Sequence, residues 1–156
     1  MANYVFNIAK GRMVEFQNRV DQNDPTNAIF IAVPLSASGT EAQGQDLDDL
    51  AAVLADPNFT ELTTAEWARI SFVDTAVPAI AVDDPGNLFG MDLDNVAFGV
   101  VNSGGPSTGI LICYDSDSGA GTDANIIPIS HHDFVATGVG TTITATIPVG
   151  GAVTSS

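Results

Sequence analysis

Short apolar or alternating runs, each closed by turn-forming residues, recur along this chain and limit the folds it can adopt. AIFIAVPL from Ala28 and GILICYD from Gly109 are apolar runs of strand length, typical of buried strands, and Pro34 is expected to end the first. TTITATIPV from Thr141 alternates Thr with Ile and Ala, typical of a half-exposed antiparallel strand. Neither apolar run approaches the roughly 20 residues that a membrane-spanning helix needs. The pattern therefore predicts a sheet-rich protein and argues against an integral membrane protein.

Further strands are predicted over Trp67–Val73, over Leu88–Val100 with turns inside it, and in NIIPISHHDFVATGVG from Asn125. Asn23-Asp24-Pro25 predicts a chain reversal, because proline fixes φ and disfavours helix at the residue before it.

Two helices are predicted in the first part of the chain. Apolar residues from Val5 to Val20 recur at spacings of three and four, which favours one helix, although a hairpin turning at Lys10 and Gly11 fits the same segment. DLDDLAAVLADP places acids before the apolar face of a second helix, which Pro57 closes.

These elements predict an α+β domain, mainly an antiparallel β-sheet or sandwich with one or two short helices near the N-terminus. The 156 residues, 45% of them hydrophobic, suffice for one core. We expect a single domain over residues 1–149 and a frayed tail over residues 150–156.

Charge restricts the partners of this chain. Four Lys and Arg residues against 19 Asp and Glu give a net charge of -15, which opposes binding to nucleic acid or anionic lipid. No export signal is visible in the first residues, and the single cysteine, Cys113, excludes an intrachain disulfide.

The loop DSDSGAGTD is the sharpest candidate for a ligand site. Asp115, Asp117 and Asp123 alternate with small residues, as in loops that wrap calcium with oxygen ligands. The loop departs from the EF-hand pattern, because Ala120 and Ile126 replace its obligatory Gly and Glu. A solvated acidic loop between two strands is the alternative interpretation.

His131, His132 and Asp133 are the candidates for acid–base chemistry. Neighbours in a strand point to opposite faces, so the two histidines cannot converge on one ion without a bulge. Cys113 lies in an apolar run with no base nearby, which predicts a buried, unreactive thiol. We therefore expect no catalytic activity and no cofactor.

Lys10, Arg12 and Arg19 are three of the four basic residues. Their guanidinium and ammonium groups could bind an acidic neighbouring protein, or they could be solvated.

The segments of this chain, taken in order, resemble a family of small structural proteins of tailed bacteriophages, encoded among head and connector genes. The resemblance rests on NIAKGRMVEFQNRVDQNDPTNAIFIAVPL, DLDDLAAVLAD, TTAEWARISFVD, ILICYD and GTDANIIPISHHDF, and covers most of the chain. It brings no catalytic motif with it.

What the resemblance implies is a virion component made in the host cytoplasm, in the first place a decoration or cement protein on the capsid exterior. Its partner would be the major capsid protein, with Lys10, Arg12 and Arg19 as the candidate contact, and by analogy it would form a homo-oligomer, a trimer. A head-tail connector or tail-associated subunit is one alternative. A calcium-dependent module that binds the host surface is another.

Overall fold

The computed structural model describes residues 3–64, 66–74, 82–83, 88–91, 93–147 and 153–155. The helices are α1 (Met13–Asp21), α2 (Glu41–Gly44) and α3 (Leu50–Ala55), with a 3-10 helix at Asp123–Asn125. The strands are β1 (Tyr4–Val5), β2 (Ile29–Ala37), β3 (Thr60–Glu61), β4 (Ile70–Phe72), β5 (Val82–Asp83), β6 (Leu88–Met91), β7 (Val96–Val101), β8 (Ser107–Asp115), β9 (Ile127–Ala136), β10 (Thr141–Ala145) and β11 (Val153–Ser155).

One large antiparallel sheet organises the molecule. Its strand order is β1-β9-β8-β2-β3, with β4 also paired to β2, so β2 and β8 are central. Two smaller sheets, β10-β7 and β11-β6-β5, are antiparallel as well. The predicted α+β fold, mainly antiparallel sheet with short helices near the N-terminus, is confirmed.

The large sheet buries both of its faces because alternate side chains of β2 and β8 enter two separate clusters. On the first, here called the α1 face, Phe30 and Ile112 pack in one cluster with Phe16 of α1 and with residues of β6, β7 and β10. On the second, the α3 face, Ile31 and Leu111 share a cluster with residues of α3. A strand buried on both faces reads as a continuous apolar run, as in AIFIAVPL.

The predicted first helix is confirmed only from Met13 onward. Gly11 has a φ of 80°, a left-handed conformation that is strained for other residues, and residues 7–12 form turns instead of helix. Tyr4–Val5 pairs with β9 as β1, so the apolar spacing from Val5 to Ala9 is not a helical face. The chain reversal predicted at Asn23-Asp24-Pro25 lies between α1 and β2.

Pro34 does not end β2, contrary to the prediction. The carbonyl of Pro34 accepts a hydrogen bond from the Leu62 N–H at 2.9 Å, so its nitrogen faces the same side, away from β8. The β2–β8 ladder therefore continues through the Pro34–Ile110 pair without needing an N–H from proline.

The second predicted helix is confirmed as α3, which begins where the Asp49 side chain accepts a hydrogen bond from the Ala52 N–H at 2.7 Å. The short α2 was not predicted, although Thr40 and Gln43 form a capping box whose sequence pattern is visible.

One strand prediction needs correction. Of Trp67–Val73 only β4 is strand, because the fully buried Trp67 lies in a turn before it. Within the segment predicted to be a frayed tail, Val153–Ser155 pairs with β6 as β11.

Candidate functional site

His131 and His132 lie on opposite faces of β9, as predicted for strand neighbours. The His131 ring is fully buried on the α3 face and stacks on Tyr4, with ring centroids 5.1 Å apart. A β-carbon on Gly109 would lie 2.4 Å from His131 Nε2, so this position of β8 must be glycine. His131 therefore occupies a closed site that a ligand cannot reach without rearrangement of the sheet.

His132 instead lines an open crevice of about 240 Å³ on the α1 face. Asp133 and Phe134 of β9 line it as well, and the Asp133 backbone N–H donates to Asn3 Oδ1 at 2.8 Å. The crevice extends from β9 to the far end of β10. Its apolar walls are Val96, Ile110, Ile112, Phe134, Ala145 and Ile147.

Ser130 and His132 are in contact, with 2.9 Å between Ser130 Oγ and His132 Nε2. This distance suits a nucleophile and its base. Burial and, to a smaller extent, the like charge of His131 lower the pKa of His132 to about 4, however, so the imidazole is a weak base at neutral pH. Ser130 is only 1% exposed, which keeps its hydroxyl from a substrate.

The acidic loop follows β8 and folds on its own backbone. Asp115 Oδ1 accepts from the Asp117 N–H, and Asp117 Oδ1 accepts from the Gly119 N–H, each at 3.0 Å. These are the turns expected of aspartate in a solvated loop between strands.

Asp123 does not join that loop as a ligand. Its carboxylate binds Arg69, with Nη1 to Oδ1 at 2.6 Å, and this hydrogen bond lowers the pKa of Asp123. Within the part of the chain that the structure describes, no three His, Cys, Asp or Glu side chains are grouped so that they could hold a metal ion. The structure thus does not bring Asp115, Asp117 and Asp123 together as a calcium site.

Arg69 forms an ion-pair network that sequence reasoning missed. Its guanidinium contacts Glu61 twice at 2.7 Å and Asp123 at 2.6 and 3.1 Å, and it joins β3, the entry to β4 and the 3-10 helix. The partners lie 8 and 54 residues away, so no local pattern signals them.

Burial raises the pKa of the Cys113 thiol, because the side chain is fully buried on the α3 face. The charge of Arg69 acts in the opposite direction, whereas Asp123 and Glu61 add to the increase. The influence of Arg69 corrects the expectation that no base lies nearby. The predicted buried thiol is confirmed.

The three predicted contact residues lie on α1 and the turn before it. Arg12 and Arg19 each reach Glu15, at 3.1 and 3.0 Å, and lower its pKa, with the Arg12 hydrogen bond first. Their side chains stay 41% and 43% exposed, and Lys10 is also exposed, with Nζ bonded to Asn7 Oδ1 at 2.7 Å.

The same helix exposes an apolar residue that the sequence analysis did not single out. Val14 is 48% exposed, between Arg12 and Arg19 in the chain. Met13, Phe16 and Val20 form the buried side of α1, and Val14 does not share their spacing. That mismatch was the sequence signal from which its exposure could have been predicted. We define the basic patch as Lys10, Arg12 and Arg19.

Comparison of the chain with protein-family models, with curated proteins and with solved structures gives no match. Among the described residues, no helix is long and apolar enough to cross a membrane.

Proposed function

We propose that this protein is a non-enzymatic decoration protein of a phage capsid, which binds the outer surface of the head and stabilises it. The resemblance of its segments to small phage structural proteins supports this function. Binding that occurs only in the assembled shell would stabilise that shell by mass action.

The observation that carries the proposal is the exposed basic patch on an otherwise acidic molecule. The net charge is -15, and Arg69, the fourth basic residue, is already bound by Glu61 and Asp123. Arg12 and Arg19 share the single carboxylate of Glu15 and stay 41% and 43% exposed, and Lys10 is exposed as well, so these three side chains carry an excess of positive charge that an outside partner can reach. They suit a contact with an acidic protein surface such as the major capsid protein could offer.

The first test is the number of copies per particle, measured by quantitative mass spectrometry of purified virions from the phage that encodes this chain. Copies comparable to the major capsid protein are expected of a decoration protein. A small fraction of that number would assign the chain to the connector or tail, and absence from virions would reject a structural role.

The second test addresses the patch itself. Capsids lacking this chain are incubated with the wild type or with the variant Lys10→Gln, Arg12→Gln and Arg19→Gln, and bound protein is measured after sedimentation. Loss of these three charges should weaken attachment at least tenfold, and added salt should weaken wild-type attachment.

A matched control lowers the net charge equally at exposed residues outside α1 and its lead-in: Thr63→Glu, Val139→Glu and Thr142→Glu. Retained attachment in this control assigns the loss to the patch. Equal loss in both variants would mean that only overall charge matters, and full attachment of the Gln variant would refute the contact.

A further inference from the structure

The crevice beside His132 is an opening into the α1 face at the point where two successive strands separate. After β9 the chain leaves the large sheet, and β10 pairs with β7 in a different sheet. Side chains of β9 and of the end of β10 therefore line one gap, with Ile110 and Ile112 of β8 at its inner side.

Size and lining limit what this gap can hold. Its volume of about 240 Å³ exceeds the roughly 150 Å³ of an apolar cavity that accepts a benzene ring. Most of its walls are aliphatic or aromatic, and the polar groups are few: His132, Asp133, Thr146 and Asn3. Mostly apolar walls with a few polar groups are typical of small-molecule sites.

We propose that this crevice is a binding site for a small uncharged aromatic molecule with one hydrogen-bonding group, of which phenol is the simplest example. The ring would lie against Ile110, Ile112 and Phe134, and the polar group would reach the imidazole of His132. This inference does not depend on the proposed capsid function.

Charge and protonation support this ligand class. The net charge of -15 disfavours an anion. Burial lowers the pKa of His132 to about 4, so at neutral pH the ring is uncharged and offers hydrogen bonding rather than a counter-charge. The contact with Ser130 Oγ at 2.9 Å fixes the ring in place.

The test is a titration of the full chain, with labelled Ile and Ala methyl groups, followed by NMR. Phenol should cause saturable shifts at Ile110, Ile112 and Ala145, with a dissociation constant on the order of 1 mM, as expected for so small a ligand. Toluene should bind more weakly, and benzoate should not bind. No saturable shift, shifts centred elsewhere, or equal binding of benzoate would overturn the proposal.

Two substitutions on neighbouring rungs of the β10–β7 ladder provide a matched pair. Ala145 lines the crevice and pairs with Val96, whereas Ala97 is exposed and pairs with Thr144. Ala145→Phe should fill the crevice and weaken phenol binding at least tenfold, and Ala97→Phe should leave it unchanged. Loss of the dispersed methyl spectrum would show that Ala145→Phe does not fold. In that case Ile147→Trp, at another residue that lines the crevice, is used to fill it instead. Unchanged binding in a folded filling variant would overturn the proposal.

His132→Gln tests the polar group separately. It should reduce the preference for phenol over toluene while toluene still binds. N-acetyltyrosinamide then distinguishes the source of the ring, because binding of this probe would indicate a tyrosine side chain of a partner, and binding of phenol alone a free small molecule. In both cases the ring binds in the crevice beside His132.

Discussion

The two faces of the large sheet are covered in different ways. On the α3 face, Leu50 and Val53 of α3 pack in one cluster with β2 and β8, and His131 is fully buried on that face. The same cluster also contains Tyr4, Phe6, Phe59 and Ile126. On the α1 face, a helix and strands of two small sheets share the cover, and the crevice opens between β9 and β10. Both faces are covered by several segments, and the difference is that the cover over His131 leaves it fully buried, whereas the cover of the α1 face opens where β10 leaves for a different sheet.

Truncation of one large side chain on each face is expected to have the largest effect. Phe16→Ala on the α1 face should lower the free energy of unfolding by about 3–5 kcal/mol, and Leu50→Ala on the α3 face by about 2–5 kcal/mol, because both side chains are fully buried. Urea denaturation measures both. Val14→Ala, at an exposed position of α1, serves as the control and should stay within about 0.5 kcal/mol. A Leu50→Ala variant as stable as the control would mean that α3 does not close its face.

The central strands could be predicted from the sequence because burial on both faces leaves a local signature. AIFIAVPL and GILICYD are continuous apolar runs, and they became β2 and β8, the middle of the sheet. The acidic start of DLDDLAAVLADP likewise predicted α3, with Asp49 as its cap.

The rest depends on contacts between distant residues. The start of α1 is set by the left-handed turn at Gly11 and by pairing of Tyr4–Val5 with β9, more than 120 residues away in sequence. The pairing of Arg69 with Asp123 and the crevice at His132 arise only when β4, β9 and β10 reach their places. Among the candidate site residues, the sequence therefore singled out His132 and the cations Lys10, Arg12 and Arg19, but not the side chains that surround them.

His132 on the α1 face should make the stability of the protein depend on pH. Burial lowers the pKa of His132 to about 4, below the usual 6.5, so between these values the unfolded chain binds more protons than the folded protein. Stability should consequently fall as the pH drops from about 6.5 towards 4, by up to about 3 kcal/mol from this group. Below pH 4 the group adds no further slope.

Denaturation of the wild type and of His132→Gln at pH 7, 5.5 and 4.5 measures this contribution. The variant should lose the part of the pH dependence that comes from His132, including the part that arises from the like charge of His131. Parallel curves for the two proteins would contradict the burial argument for His132.

Substitution of Arg69 measures how much its ion pairs with Glu61 and Asp123 stabilise the edge of the sheet at β3 and β4. Arg69→Met leaves Glu61 and Asp123 without their cation and should cost about 1–3 kcal/mol at pH 7. Arg69 lowers the pKa of Asp123, so this stabilisation is complete above the usual aspartate pKa and is lost as the pH falls through the lowered value. The two proteins should therefore converge in acid. Arg69→Lys, which keeps the charge without the forked geometry, should lie between them, and equal stability of all three at pH 7 would refute a stabilising network.

The smallest expected effect concerns the N-terminal cap of α3, the helix that packs on the α3 face. Asp49→Ala removes the acceptor of the Ala52 N–H and should cost about 1 kcal/mol. Asp48→Ala, one residue earlier and exposed, removes the same charge near the same helix end but no capping bond, so it should cost less. Hydrogen exchange of the Ala52 amide should accelerate in the first variant only. Equal costs in the two variants would assign the stabilisation of α3 to the negative charge near its N-terminus. In that case added salt should weaken the packing of α3 on its face, because salt screens charges but leaves a capping hydrogen bond largely intact.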